Sequence, residues 1–90
     1  MVMFIVKVSR KADKISQTLD EKTQERVLHL FTILENSPVP TSSFDVTKLT
    51  NSKNGYRVRI GDIRILYFVF WKENAIEVTK IERKKDRTYK

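Results

Sequence analysis

Val2, Phe4, Val6 and Val8 alternate with Met3, Ile5 and Lys7, and this period of two predicts a strand with one buried face. From Ser9 the period changes. Ser9 can cap a helix carrying Ala12, Ile15 and Leu19 on its apolar side. Asp20 can cap a second helix, in which Val27, Leu30, Phe31 and Leu34 recur at helical spacing. Glu21 then falls in the first turn, where the macrodipole favours an acid. Asn36, Ser37, Pro38 and Pro40 end the helix, because proline cannot continue its hydrogen-bond ladder.

The period returns to two from Phe44 onward. Phe44 to Leu49 reads as a short strand, and Thr50 to Gly55 is a run of turn-tolerant residues. In Tyr56 to Ile60, the side chains of Tyr56, Val58 and Ile60 share one face and Arg57 and Arg59 the other. Gly61-Asp62 fits a two-residue type II′ hairpin loop, with glycine supplying the positive φ. Ile63 to Trp71 is apolar on both faces except for Arg64, which suits a central strand. Lys72 to Asn74 turns the chain into a last strand, Ala75 to Ile81, followed by the basic tail Glu82 to Lys90. The expected fold is α+β: an N-terminal strand, an antiparallel two-helix hairpin and a four-stranded antiparallel meander, with the helices packed on one face of the sheet. Ninety residues without a break in composition make a single domain, 1–90.

Composition removes whole classes of chemistry. With no cysteine, disulfide frameworks, thiolate metal sites and cysteine nucleophiles are excluded. A single histidine, His29, cannot build a multi-imidazole zinc centre or a histidine acid–base pair. Gly55 and Gly61 are too few for a dinucleotide-binding turn or a P-loop. The longest apolar runs, Met1 to Val6 and Ile65 to Trp71, are too short to span a bilayer, and no leader pattern is present. The expectation is a soluble cytoplasmic protein with no membrane contact.

Charge changes the picture more. The net charge is +7, and it is unevenly placed: residues 1–45 carry six bases and six acids, residues 46–90 twelve bases and five acids. Such asymmetry points to a polyanion-binding face, and nucleic acid is the commonest polyanion. Arg57 and Arg59 share one side of their strand, and the Gly61-Asp62 turn brings Arg64 close to Arg59. Arg83, Lys84, Lys85 and Arg87 leave the adjoining strand with Tyr89 among them. The expected result is a cationic cleft containing a phenol. With no acid expected opposite the three strand arginines, they would repel one another unless an anion lay between them. His29 lies off the Val27, Leu30, Phe31 stripe and reads as a helix-surface residue. Tyr67 and Trp71 read as core or sheet-edge anchors.

Lys48-Leu49, the run Tyr-Arg-Val-Arg-Ile-Gly-Asp-Ile-Arg-Ile-Leu-Tyr from Tyr56 to Tyr67, the strand ending at Ile81 and the tail Arg83 to Tyr89 together resemble the RelE toxin family. That family belongs to the RelE/ParE superfamily, and the likeness is strongest to its archaeal branch. It spans nearly the whole chain in element order and is sharpest over residues 44–90. The resemblance implies the toxin of a type II toxin–antitoxin system, a ribosome-dependent mRNA endonuclease that uses no metal or other cofactor. In that chemistry the ribose 2′-hydroxyl attacks the adjacent phosphate and expels the 5′-oxygen. The implied partners are the ribosome, mRNA and a cognate RelB-like antitoxin whose helices wrap the toxin in a heteromeric complex.

The same resemblance marks Arg57, Arg59, Arg64, Arg83 and Tyr89 as active positions, with Arg87 as the alternative to Arg83. Lys48, Lys53, Lys84, Lys85 and Lys90 are the expected RNA contacts. One departure matters: some family members carry lysines where this chain has Arg57 and Arg59, and arginine does not release its proton. Two routes then remain for the 2′-hydroxyl proton. Nearby cations can favour a Tyr89 phenolate that accepts it, or charge stabilisation and in-line positioning can carry the step without a strong base. Two other readings fit the same cationic face: a ParE-like inhibitor of DNA gyrase and a non-catalytic RNA-binding protein.

Overall fold

Ser9 joins the first strand to the first helix. Its hydroxyl accepts from the Ala12 amide at 3.1 Å and donates to the Thr79 carbonyl at 3.3 Å, so one side chain caps a helix and ties it to the last strand. The computed structural model describes residues 3–83. Their order is β1 (Ile5–Val8), α1 (Arg10–Ser16), α2 (Glu21–Leu34), β2 (Asp45–Lys48), β3 (Gly55–Ile60), β4 (Ile63–Phe70), a 3-10 turn (Trp71–Glu73) and β5 (Ala75–Arg83). Asp20 caps α2 as expected, its carboxylate accepting from the amide and the hydroxyl of Thr23. That second acceptance helps hold the acid below its ordinary pKa.

The strands form one five-stranded sheet in the order β1-β5-β4-β3-β2. Strands β2 to β5 are the expected antiparallel meander, and β1 closes the other edge by pairing parallel to β5, with Ile5 opposite Ala75 and Val8 opposite Val78. The core lies on one face. Val58, Ile60, Ile63, Ile65, Tyr67, Val69, Ile76, Val78 and Ile81 of the sheet pack with Ala12, Leu19, Val27, Leu30 and Leu34 from the helical half. Both helices therefore cover the same side, and no helix among the described residues covers the other side of the sheet.

Three details differ from the pattern. Trp71 leaves β4 for the 3-10 turn, where Asn74 takes a left-handed φ of 52° to start β5. β5 runs two residues past Ile81, to Arg83. It also carries a bulge: Leu66 pairs with Lys80 and Tyr67 with Val78, which leaves Thr79 without a partner. The extra residue re-phases the strand, so Val78 and Ile81, three apart, both reach the core.

The open hairpin and the core have separate anchors. Gly61 sits at φ +59° as the first loop residue, while Asp62 keeps negative φ, the arrangement of a type II′ turn. Tyr67 is fully buried, donates to the Pro38 carbonyl at 2.7 Å and stacks on Tyr56 with ring centroids 5.7 Å apart. The loop after α2 is thereby fastened to the central strand. Among the described residues, no helix is long and apolar enough to cross a membrane.

Candidate active site

The open face of the sheet gathers the strand arginines. Because Val58 and Ile60 fill the core, Arg57 and Arg59 must point to the opposite side, and Arg64 does so from β4. Arg59 and Arg64 are direct cross-strand partners, and Arg57 stands opposite Leu66, one step further along the same pair of strands. Arg59 is exposed; Arg57 and Arg64 are half-buried. The Nε atoms of Arg57 and Arg64 are buried with no hydrogen-bond partner among the described residues. Such donors are costly to leave unmatched, and the neighbouring like charges add to the cost. An anion lying over the three guanidiniums would relieve both.

The face is less purely cationic than expected. Asp45 of β2 stands opposite Arg59, and Glu82 of β5 stands opposite Arg64, so an acid flanks the arginine pair on each side. Glu82 arrives there because of the Thr79 bulge, which uninterrupted alternation does not anticipate. Neither carboxylate comes within 4.0 Å of an arginine nitrogen. Among the described residues the one ion pair is Arg83 with Asp62, at 3.9 Å. Among the described residues the strand guanidiniums thus keep their charge available to a ligand.

Arg83, Lys48 and Lys53 lie elsewhere. The bulge that turns Glu82 toward Arg64 places Arg83 in register with Ile63, on the helix-side phase of the strand. Arg83 stands at the hairpin turn beside Asp62, not within the arginine row. Lys48 pairs in register with Tyr56, lies 5.2 Å from the centroid of that ring and donates to the Lys53 carbonyl. Lys48 is therefore on the side of the sheet away from Arg57, Arg59 and Arg64, and Lys53 belongs to the loop that it braces. Lys84, Lys85, Arg87, Tyr89 and Lys90 lie outside the described residues.

One feature was not expected from the sequence. An open cleft of about 590 Å³ lies at the β2 edge, lined by Glu25, Arg26 and His29 of α2 together with Phe44, Asp45 and Arg59. His29 and Phe44 face each other with ring centroids 6.0 Å apart. Glu25 and His29 are four residues apart and so share a helix face, a spacing that could have pointed to this cluster.

A search of protein-family models finds none that matches. A Methanocaldococcus jannaschii protein assigned as toxin RelE1 is 32% identical over 81 residues, covering 90% of both chains. A chain of the archaeal RelE–RelB complex from Pyrococcus horikoshii superposes with a TM-score of 0.84 at 35% identity, covering 92% of this chain and 97% of the other. The isolated Escherichia coli RelE toxin shares the fold, with a TM-score of 0.78 at 15% identity over 93% of this chain and 87% of that one. Identity at this level over nine-tenths of the chain, joined to the close superposition, establishes that the protein belongs to the RelE toxin family.

Proposed function

We propose that this RelE-family toxin is a ribosome-dependent mRNA endonuclease, silenced by a cognate antitoxin. The observation that carries the reading is the row of Arg57, Arg59 and Arg64 on one open face, with two guanidinium Nε donors unmatched among the described residues. A phosphodiester under attack by its own 2′-hydroxyl gains negative charge as a fifth oxygen bonds to phosphorus. Fixed guanidiniums reward that gain more than they reward the ground state. The O2′–P bond forms, the P–O5′ bond breaks, and the products are a cyclic phosphate and a free 5′-hydroxyl. The 5′-oxygen must receive a proton and the 2′-oxygen must lose one. Arg57 and Arg59 cannot serve as the base at neutral pH. Tyr89 is the proposed acceptor, and Arg83 or Arg87 the proposed further cation from the tail.

Acting on translating ribosomes places the protein in the cytoplasm. The partner reading is supported by the RelE–RelB complexes among the structural neighbours, from Pyrococcus horikoshii and from Methanococcus jannaschii. A RelB-like antitoxin that covers the open face would keep the arginines from RNA.

The test is controlled expression followed by mapping of mRNA 5′ ends. Growth arrest with new ends inside translated codons is expected, together with its loss in Arg64→Ala at an unchanged melting temperature. Intact mRNA with inhibited DNA supercoiling would transfer the protein to the gyrase-directed class. Salt-sensitive RNA binding without cuts on translating ribosomes would leave it a binding protein.

A further inference from the structure

The cleft at the β2 edge joins the two faces of the sheet. Phe44 shares the phase of Val46 and packs against the core side, whereas Asp45 and Arg59 are register partners on the open face. Arg59 therefore belongs both to the arginine row and to the cleft wall. The row meets the demands of a phosphate. The cleft is less suited to one, because Glu25 and Asp45 line it and offset the charges of Arg26 and Arg59.

Carboxylates suit a group that donates hydrogen bonds, and the face of the Phe44 ring suits a flat one. An RNA base is both, with N–H donors on its edge and a π-face for stacking. No ion pair within 4.0 Å joins Arg26 or Arg59 to Glu25 or Asp45 among the described residues, so these polar groups are not spent on one another. At about 590 Å³ the open cleft has room for a two-ring base. Stacking also favours the larger purine surface.

We infer that the cleft formed by Glu25, His29, Phe44 and Asp45 is a base-binding subsite that holds an unpaired purine beside the phosphate gripped by Arg59. Glu25 and Asp45 accept from the base edge, the base stacks on Phe44 with His29, tilted 50° to that ring, closing the wall beside it, and Arg59 links the base to the scissile group. This inference rests on the nuclease reading, and the two can fail separately.

The single histidine of the chain is a built-in reporter. The full-length protein is titrated with AMP, GMP, CMP and UMP while the His29 imidazole resonances are followed. Both purine nucleotides are expected to shift those resonances at lower concentration than the pyrimidines. Phe44→Leu, which keeps an apolar side chain against the core, is expected to weaken purine binding about tenfold. Glu25→Gln is expected to narrow the gap between purines and pyrimidines. If His29 stays unmoved by all four nucleotides while backbone signals near Arg57 and Arg64 respond, the subsite is overturned and the phosphate site stands. In mapped mRNA ends, wild-type cuts beside purines that lose this bias in Phe44→Leu support the subsite, and an unchanged base profile overturns it. Purine-selective shifts at His29 in a wild-type protein that cuts no mRNA support the subsite and sink the nuclease reading.

Discussion

Arg59 of β3 stands directly across from Arg64 of β4, two like charges at a cross-strand position that stability alone would fill with opposite ones. The pair is held by the tight Gly61-Asp62 turn, and Asp45 and Glu82, its outer neighbours in register, stop short of ion-pair distance. An arrangement that works against folding fits the anion site proposed for this face. Arg64→Ala should therefore leave the melting temperature unchanged or raise it, because it removes both the repulsion and a buried unmatched Nε. The same substitution should lower mRNA cleavage by about 10² to 10³-fold, the usual cost of losing one preorganised charge-stabilising donor. A drop of several degrees in melting temperature would show the arginine to be structural instead.

The two glycines should respond to alanine for different reasons. At Gly55 an added Cβ would lie 2.6 Å from Ser52 Oγ, 2.9 Å from Leu49 Cδ1 and 3.0 Å from Phe68 Cε2, so these three side chains must give way. At Gly61 nothing lies within 4 Å, and the penalty is the φ of +59° alone. Gly61→Ala should cost about 1 to 2 kcal/mol, the ordinary penalty for left-handed backbone, and Gly61→Asn less. Asparagine cannot rescue Gly55. Denaturant unfolding of the four variants checks this, and rescue of Gly55 by asparagine would contradict the steric account.

The hairpin and its arginines were legible in the sequence because Tyr56 to Ile60 alternates cleanly, Ile63 to Trp71 reads as a central strand and Gly61-Asp62 names its own turn. The buried stripe of α2 and the caps at Ser9 and Asp20 were legible for the same local reason, whereas α1 ends at Ser16, short of Leu19, and its Ile15 is exposed. The Thr79 bulge was not. Val78 and Lys80 read as one face of a regular strand ending at Ile81, and only the pairing with β4 shows that the phase slips, which turns Glu82 toward Arg64 and Arg83 away from it. The parallel pairing of β1 with β5 and the cleft between His29 and Phe44 likewise depend on contacts far apart in sequence. A one-dimensional period carries no information about those.

Asp62 and Arg83 make an exposed pair at 3.9 Å, with side chains 65% and 56% accessible. Exposed pairs of this kind contribute about 0 to 1 kcal/mol, so Asp62→Asn should leave stability nearly unchanged. If Arg83 serves the reaction, the tether to Asp62 competes with the phosphate, and Asp62→Asn should preserve or raise cleavage while Arg83→Ala lowers it. Cleavage unaffected by Arg83→Ala would assign the tail role to Arg87.

The acid and alkaline limits of stability should have separate, identifiable sources. Burial pushes the Tyr67 phenol far above its ordinary value of 10.0, with Tyr56 beside it adding to the rise. In the unfolded chain the phenol ionises near pH 10, so the unfolded state then binds fewer protons than the folded one, and stability falls as pH climbs further. Tyr67→Phe should flatten this alkaline decline. It should also cost about 1 to 3 kcal/mol near neutral pH, since the Pro38 carbonyl loses its donor. Asp20 acts at the other end with the opposite sign. Its hydrogen bonds with Thr23, the side-chain one foremost, lower its pKa below 3.8, so its contribution is complete above that value and fades as pH falls through the folded-state pKa. Asp20→Ser keeps a helix cap without a titrating charge and should flatten the acid side of the profile only. Melting curves across pH for the wild type and the two variants test both assignments, and an alkaline limb that survives in Tyr67→Phe would place its origin outside this tyrosine.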